Sequence, residues 1–108
     1  MPRQSVFDMK ISQLYLLLLA RAGRKGRTKD EVDGVIMWLT GYDMNDMDLD
    51  ITCAEFFNNA PAYNPRAEMI TGSFRGVKVE DIKDPLMKKI RQLEKLVDKL
   101  AKGEPVEE

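Results

Sequence analysis

Arg21, Arg24, Lys25, Arg27 and Lys29 crowd around Thr28, and Thr28 stands three residues before Glu31. Thr-x-x-Glu is the spacing of a capping box that starts a helix. Exposed amides at a helix start, with guanidinium groups beside them, suit a phosphate or carboxylate, so Arg24, Lys25, Arg27 and Thr28 are the candidate anion-binding residues. The same cations would also complement the carbonyl end of a preceding helix, and the segment lacks the glycine density of a phosphate loop. A second candidate lies in residues 60–76, where Tyr63, Asn64, Arg66, Glu68, Thr71 and Arg75 could line a cleft and Tyr63 could stack on a ligand. Polar side chains in such a segment also serve to satisfy its own backbone.

Other chemistries are excluded by what the chain lacks. It contains no histidine, which removes the usual general base, the His-dependent triads and the common His-bearing zinc sites. One cysteine rules out thiolate zinc clusters and an internal disulfide. Cys53, just after the helix-starting Thr52, has amide dipoles to favour a thiolate, but Asp48, Asp50 and Glu55 oppose it, and a small packed residue is the simpler reading. The run Asp43, Asp46, Asp48, Asp50 looks like a calcium loop until the required Gly and Glu positions, counted from Asp46, fall on Ile51 and Phe57. No catalytic residue, metal or cofactor is assigned.

Seventeen Lys and Arg balance 18 Asp and Glu, so no global field attracts nucleic acid or an acidic membrane. The charge is unevenly spread. Residues 43–65 carry only acidic charges and residues 85–102 mostly basic ones, which predicts attraction between these segments within the fold or between subunits. A chain of 108 residues makes one domain, with an ordered core over about 6–103 and a frayed tail at 104–108. A reduced cytoplasm follows from the single cysteine. Arg3 and Lys10 before the apolar run 14–20, with Ala20-Arg21-Ala22 after it, imitate a signal peptide, but the run is short and Asp8 interrupts the basic region. It is too short to span a bilayer. A buried first helix is the alternative.

The elements that must position these residues can be read from periodicity and punctuation. A first helix over about 8–22 is apolar on most faces from Leu14 to Leu19, which predicts a central helix covered by several neighbours and ended by Gly23. The second is written from cap to cap: Thr28 and Glu31 open it, Val32, Val35, Ile36 and Leu39 form its apolar face, Trp38 edges that face, and Gly41 stops it. A left-handed Gly41 would let the amide of Tyr42 bond the carbonyl of Met37 and the Tyr42 ring fold back over the last turn. Gly34, costly inside a helix, suggests that another backbone approaches there.

Thr52 and Glu55 repeat the capping box for a third helix that carries Phe56 and Phe57 and ends before Pro61. A short helix around 65–70 and a very short β-hairpin near 73–80 fit the irregular stretch. The last helix has Asp84 as cap, Pro85 at its first position and Gly103 as stop. Its Leu86, Ile90, Leu93, Val97 and Leu100 form a heptad seam, fit for a bundle core or for self-association through residues 85–102.

Residues 25–33, 38–42, Phe56-Phe57 with Ala60-Pro61-Ala62 and Asn64-Pro65, 70–72, and 84–103 from Asp84-Pro85-Leu86-Met87 onward together resemble a family of small bacterial proteins, domain of unknown function 2200. The likeness runs in order from about Phe7 to Gly103. It implies a cytoplasmic bacterial protein, a first residue that opens no signal peptide, and no particular activity. Cys53 and Arg75 depart from the family's pattern. Arg27, Thr28, Asn64, Thr71 and Gly72 coincide with it, which implies a polar or backbone role at those positions. The sequence therefore predicts a mainly all-α bundle of four to five helices, serving as a non-enzymatic binding or interaction module. The alternative is a small anion- or phosphate-binding domain, conceivably an enzyme that works without histidine.

Overall fold

The structure, a computed structural model, describes residues 9–74 and 76–103. Asp8, Arg75 and the tail 104–108 lie outside the described residues. Four α-helices carry the fold: α1 (Ile11–Gly23), α2 (Lys29–Thr40), α3 (Cys53–Asn58) and α4 (Pro85–Lys102). Two 3-10 turns, Pro65–Met69 and Val79–Asp81, and a hairpin of β1 (Ser73–Phe74) with β2 (Val77–Lys78) complete it. The protein is mainly all-α, as its periodicity predicts.

The predicted caps form. Thr28 Oγ1 accepts from the amide of Glu31 at 3.2 Å, and Glu31 Oε1 accepts from the amide of Thr28 at 3.0 Å. Thr52 and Glu55 repeat that exchange at 3.1 Å in both directions. At the start of α4, Asp84 Oδ1 takes the amides of Leu86 and Met87 at 2.9 and 3.1 Å. Each bond satisfies an amide that the helix itself leaves without a partner.

The start of α1 is completed by a distant segment. The amide of Ile11 donates to the carbonyl of Ile51 at 2.8 Å, that of Ser12 to Leu49 at 3.2 Å, and that of Cys53 to Met9 at 2.8 Å. Residues 49–53 thus run alongside 9–12, and the acidic loop before them is held at the N-terminal end of α1.

Gly41 is left-handed at φ 83°, but the bonding differs from expectation. Its own amide reaches Met37 at 2.8 Å, and the amide of Tyr42 turns to Thr40 Oγ1 at 3.2 Å. The Tyr42 ring leaves its helix altogether and packs on Phe56 with centroids 4.4 Å apart, while its hydroxyl donates to the Phe56 carbonyl at 2.8 Å. Burying an aromatic face between two helices outweighs folding it onto an exposed turn. The close backbone approach expected at Gly34 occurs at Gly41 instead: a Cβ at Gly41 would sit 2.8 Å from that of Ala62, whereas one at Gly34 would meet nothing within 4 Å.

The core gathers around α4, which touches α1, α2, α3, β1 and the Val79–Asp81 turn. Ile90, Leu93 and Val97 of its heptad seam are buried, and Leu86 and Leu100 pack against the core from its edges. The seam is spent inside the chain, so its residues are not free for self-association. Nor, among the described residues, do the α4 cations pair with the acidic loop: Arg91, Lys95 and Lys102 pair with Glu94 and Asp98 of their own helix, and Asp50 pairs with Lys10 at 3.7 Å.

α1 packs against α4, α2 and α3, but it is not covered on every face as its composition suggests. Ile11, Leu14, Tyr15, Leu18 and Ala22 are buried, but Leu16 and Leu17 are 64% and 56% exposed. Against α2 it is tied by polar contacts: the Tyr15 hydroxyl donates to Asp33, which also pairs with Lys29 at 2.6 Å. The Lys29 ammonium, held by Asp33 first and then by Tyr15, is pushed up to about 12.

Candidate functional site

The candidate residues fall into two separate places. At the α1–α2 connection, Arg24 and Lys25 are exposed, with their amides bonded to the carbonyls of Ala20 and Ala22 at 3.1 and 3.0 Å. Gly26, left-handed at φ 79°, turns the chain, and the amide of Arg27 closes the turn onto Ala22 at 3.0 Å. The guanidinium of Arg27 lies 3.9 Å from Glu31 and also against Gly103, the residue that ends α4, where a cation is favoured by the helix dipole. The Thr28 amide is occupied by the Glu31 carboxylate. An anion approaching this helix start would have to displace an anion already built into it.

The irregular stretch forms a real concavity. A cavity of about 230 Å³ opens between the Pro65–Met69 turn and α4, lined on one side by Tyr63, Asn64, Pro65, Ala67 and Glu68 and on the other by Pro85, Lys88, Lys89 and Gln92. The α4 residues recur at steps of three, one and three, the stripe that one helix presents to one neighbour. Tyr63 and Asn64 belong to this cleft; Arg66, Thr71 and the four residues of the basic turn do not line it.

Its inner wall is tightly bonded. The Tyr63 hydroxyl donates to Gln92 Oε1, and Gln92 Nε2 donates to the Ala67 carbonyl at 3.0 Å, so the buried amide of Gln92 is engaged at both ends. Burial pushes the Tyr63 phenol well above its ordinary range. The Lys89 ammonium stands 5.0 Å from the centroid of the Tyr63 ring, a cation–π distance. Asn64 is fully used by the fold: its Oδ1 caps the turn by accepting from the amide of Arg66 at 2.9 Å, and its Nδ2 donates to the Trp38 carbonyl at 3.0 Å. Lys88, Lys89 and Glu68 are the charged groups left facing the opening, and none of the three makes an ion pair among the described residues.

The sequence marks Glu68 as a cleft candidate but gives no reason to join Lys88, Lys89 and Gln92 to it. Their signal is faint: a polar residue at 92, on the inward side of an otherwise apolar seam, marks a place where the core meets a loop. Gly72, one of the positions shared with the family, has a backbone role: its amide donates to Glu80 Oε1 at 3.0 Å. That bond, after the one from the amide of Glu80 itself, holds the Glu80 carboxyl below its ordinary value. Thr71 is exposed.

Cys53 is wholly buried, and burial, with Glu94 adding to it, pushes its thiol up to about 11. A thiolate is therefore disfavoured at that helix start. The acidic loop encloses a more open hollow of about 290 Å³ between Gly41, Tyr42, Asp43, Asp46, Met47 and Asp48. Among the described residues no three acidic or thiol groups converge as metal ligands do. Among them, too, no helix is long and apolar enough to cross a membrane.

A small, mainly helical protein with a lysine-bearing cleft between a 3-10 turn and its longest helix is the class that fold and site define. The chain belongs to the DUF2200 family, described as an uncharacterized protein conserved in bacteria, whose model matches residues 5–108. It is similar to the crystal structure of uncharacterized protein SP1917, at 45% identity and a TM-score of 0.87, over 97% of this chain and 89% of that one. No curated protein matches the sequence.

Proposed function

We propose that the protein is a single-domain, non-enzymatic binding module that takes a small anionic ligand, a carboxylate or phosphate compound, in the cleft between the Pro65–Met69 turn and α4. The observation that carries this reading is the pair Lys88 and Lys89, adjacent on the cleft wall, without an ion-pair partner among the described residues and next to the fixed ring of Tyr63. Among the lining residues two ammonium groups outweigh the one carboxylate of Glu68 on the opposite wall, and Glu80, which Lys88 also attracts, lies outside the lining. The volume of about 230 Å³ falls below the usual range for drug-sized ligands, which favours a compound of few atoms. A binding role is favoured over catalysis because the polar atoms of Tyr63, Asn64 and Gln92 are consumed in holding the wall. A buried, single thiol suits a reducing compartment and so supports a cytoplasmic module.

Thermal unfolding in the presence of inorganic phosphate, and separately of succinate, tests the reading. At a hundredfold excess over Kd, a ligand of the folded state stabilises by about 2.7 kcal/mol. The expected result is a raised Tm that disappears in Lys88→Ala/Lys89→Ala and persists in Arg24→Ala/Arg27→Ala. A shift lost only in the second variant would transfer binding to the basic turn. No shift with either compound would remove the proposal.

A further inference from the structure

We infer that the outer face of α1 is a self-association surface, covered in solution by α1 of a second copy of this chain running antiparallel to it across a two-fold axis. Leu16 and Leu17 are 64% and 56% exposed on adjacent positions near the middle of the thirteen-residue helix. Ala20, one turn on from Leu16, is also exposed, and between Lys10 and Arg21 the helix carries no charge at all. In a chain that is 32% charged, such an uncharged outward stripe is the exception. Exposed apolar residues that cluster in this way, unlike scattered ones, mark interaction surfaces.

The charges at the two ends of the stripe identify the occupant. At the C-terminal end stand Arg24 and Lys25, both exposed and without an ion pair among the described residues. At the N-terminal end Lys10 is offset by Asp50 at 3.7 Å, and the bonds from Ile11 and Ser12 to Ile51 and Leu49 hold the acidic loop, whose Asp46 and Asp48 are exposed and give that end a net negative charge. The ends are separated by the length of α1, about 20 Å at the usual helical rise. A two-fold axis near Leu17 sets leucine against leucine and brings each basic end onto the partner's acidic end, twice over. An isologous contact of this kind closes on itself. A parallel arrangement, or a different partner with one sign of charge, would leave one end opposed by like charge or by none. The helix that offers this face is α1; the heptad seam of α4 is already buried.

Light scattering of the full chain from low-micromolar to near-millimolar concentration tests the inference. The expected mass rises from 12.4 kDa towards twice that value. Leu17→Asp is expected to hold the monomer mass throughout, with unchanged helicity by circular dichroism. Arg24→Glu/Lys25→Glu and Asp46→Lys/Asp48→Lys are each expected to be monomeric alone, because like charges then meet at both ends. An equimolar mixture of these two variants is expected to recover the dimer, since every end contact is again between opposite charges. A monomer at all concentrations, a dimer that survives Leu17→Asp, or charge variants that do not recombine would each overturn the inference.

Discussion

α1 and α4 differ in how far their apolar residues are covered, and only α4 matches the bundle-core role its sequence suggests. α4, with a regular heptad seam and a charged remainder, reads as a bundle-core helix or a self-associating one; it is the centre of the core, its seam covered by α1, α2 and α3. α1, the most continuously apolar stretch, reads like a buried helix, yet two of its leucines face outward. The lesson is that apolar content measures how much surface a helix can bury, whereas its placement decides how much is buried. α4 has a narrow stripe and neighbours on several sides. α1 has apolar residues nearly all round, and α4, α2 and α3 together leave the face of Leu16 and Leu17 open.

Substitutions that separate the covered from the open faces sharpen this contrast. Leu93→Ala, on the buried seam of α4, is expected to cost roughly 2–5 kcal/mol, lowering Tm by roughly 10 °C or more in a domain of this size. A small loss measured by calorimetry would mean that α4 is not the core helix. The covered side also titrates. Burial raises the Cys53 thiol from 9.0 to about 11 and raises the Tyr63 phenol from 10.0, so the folded chain keeps protons that the unfolded chain has released. Stability is therefore full below about pH 9 and declines as the pH rises towards 11, by an amount on the order of 2 kcal/mol. Urea unfolding at pH 7, 9 and 10.5 measures it; a flat profile would contradict the burial of these groups.

Gly34→Ala addresses the open side. Among the described residues no atom from beyond its own helix turn lies within 4 Å of the added methyl, so the helix propensity of Ala should raise stability by ~1 kcal/mol. A fall in Tm would restore the close approach that the sequence suggested there. The smallest effect is expected for Leu17→Ala, within about 0.5 kcal/mol for the dilute monomer, because the side chain is mostly in water already.

Much of the local architecture was legible. The two Thr-x-x-Glu boxes, Asp84 with Pro85, and the stops at Gly41 and Gly103 depend on bonds between residues two to four apart, which a short window of sequence contains. Asn64 illustrates the limit for function. Its place in the irregular segment suggests a cleft residue, and it does line the cleft, but its side chain is tied to Arg66 and Trp38. The cleft's cations, Lys88 and Lys89, lie more than twenty residues away on α4, in the basic segment whose charge suggests attraction to residues 43–65. Spacing along the chain could not pair them with Tyr63.

By itself the sequence determined where helices begin and end, that the protein is mainly α-helical, and that histidine chemistry is absent, because capping, periodicity and composition are local or additive properties. Only the tertiary structure decided which apolar faces are covered, that Tyr42 leaves its own helix for Phe56, and that the close approach falls at Gly41. It also decided that Lys89 stands over Tyr63, and that the acidic loop and the basic turn sit at opposite ends of α1. Those facts depend on contacts between segments far apart in the chain, where burial of surface, not neighbouring residues, selects the arrangement.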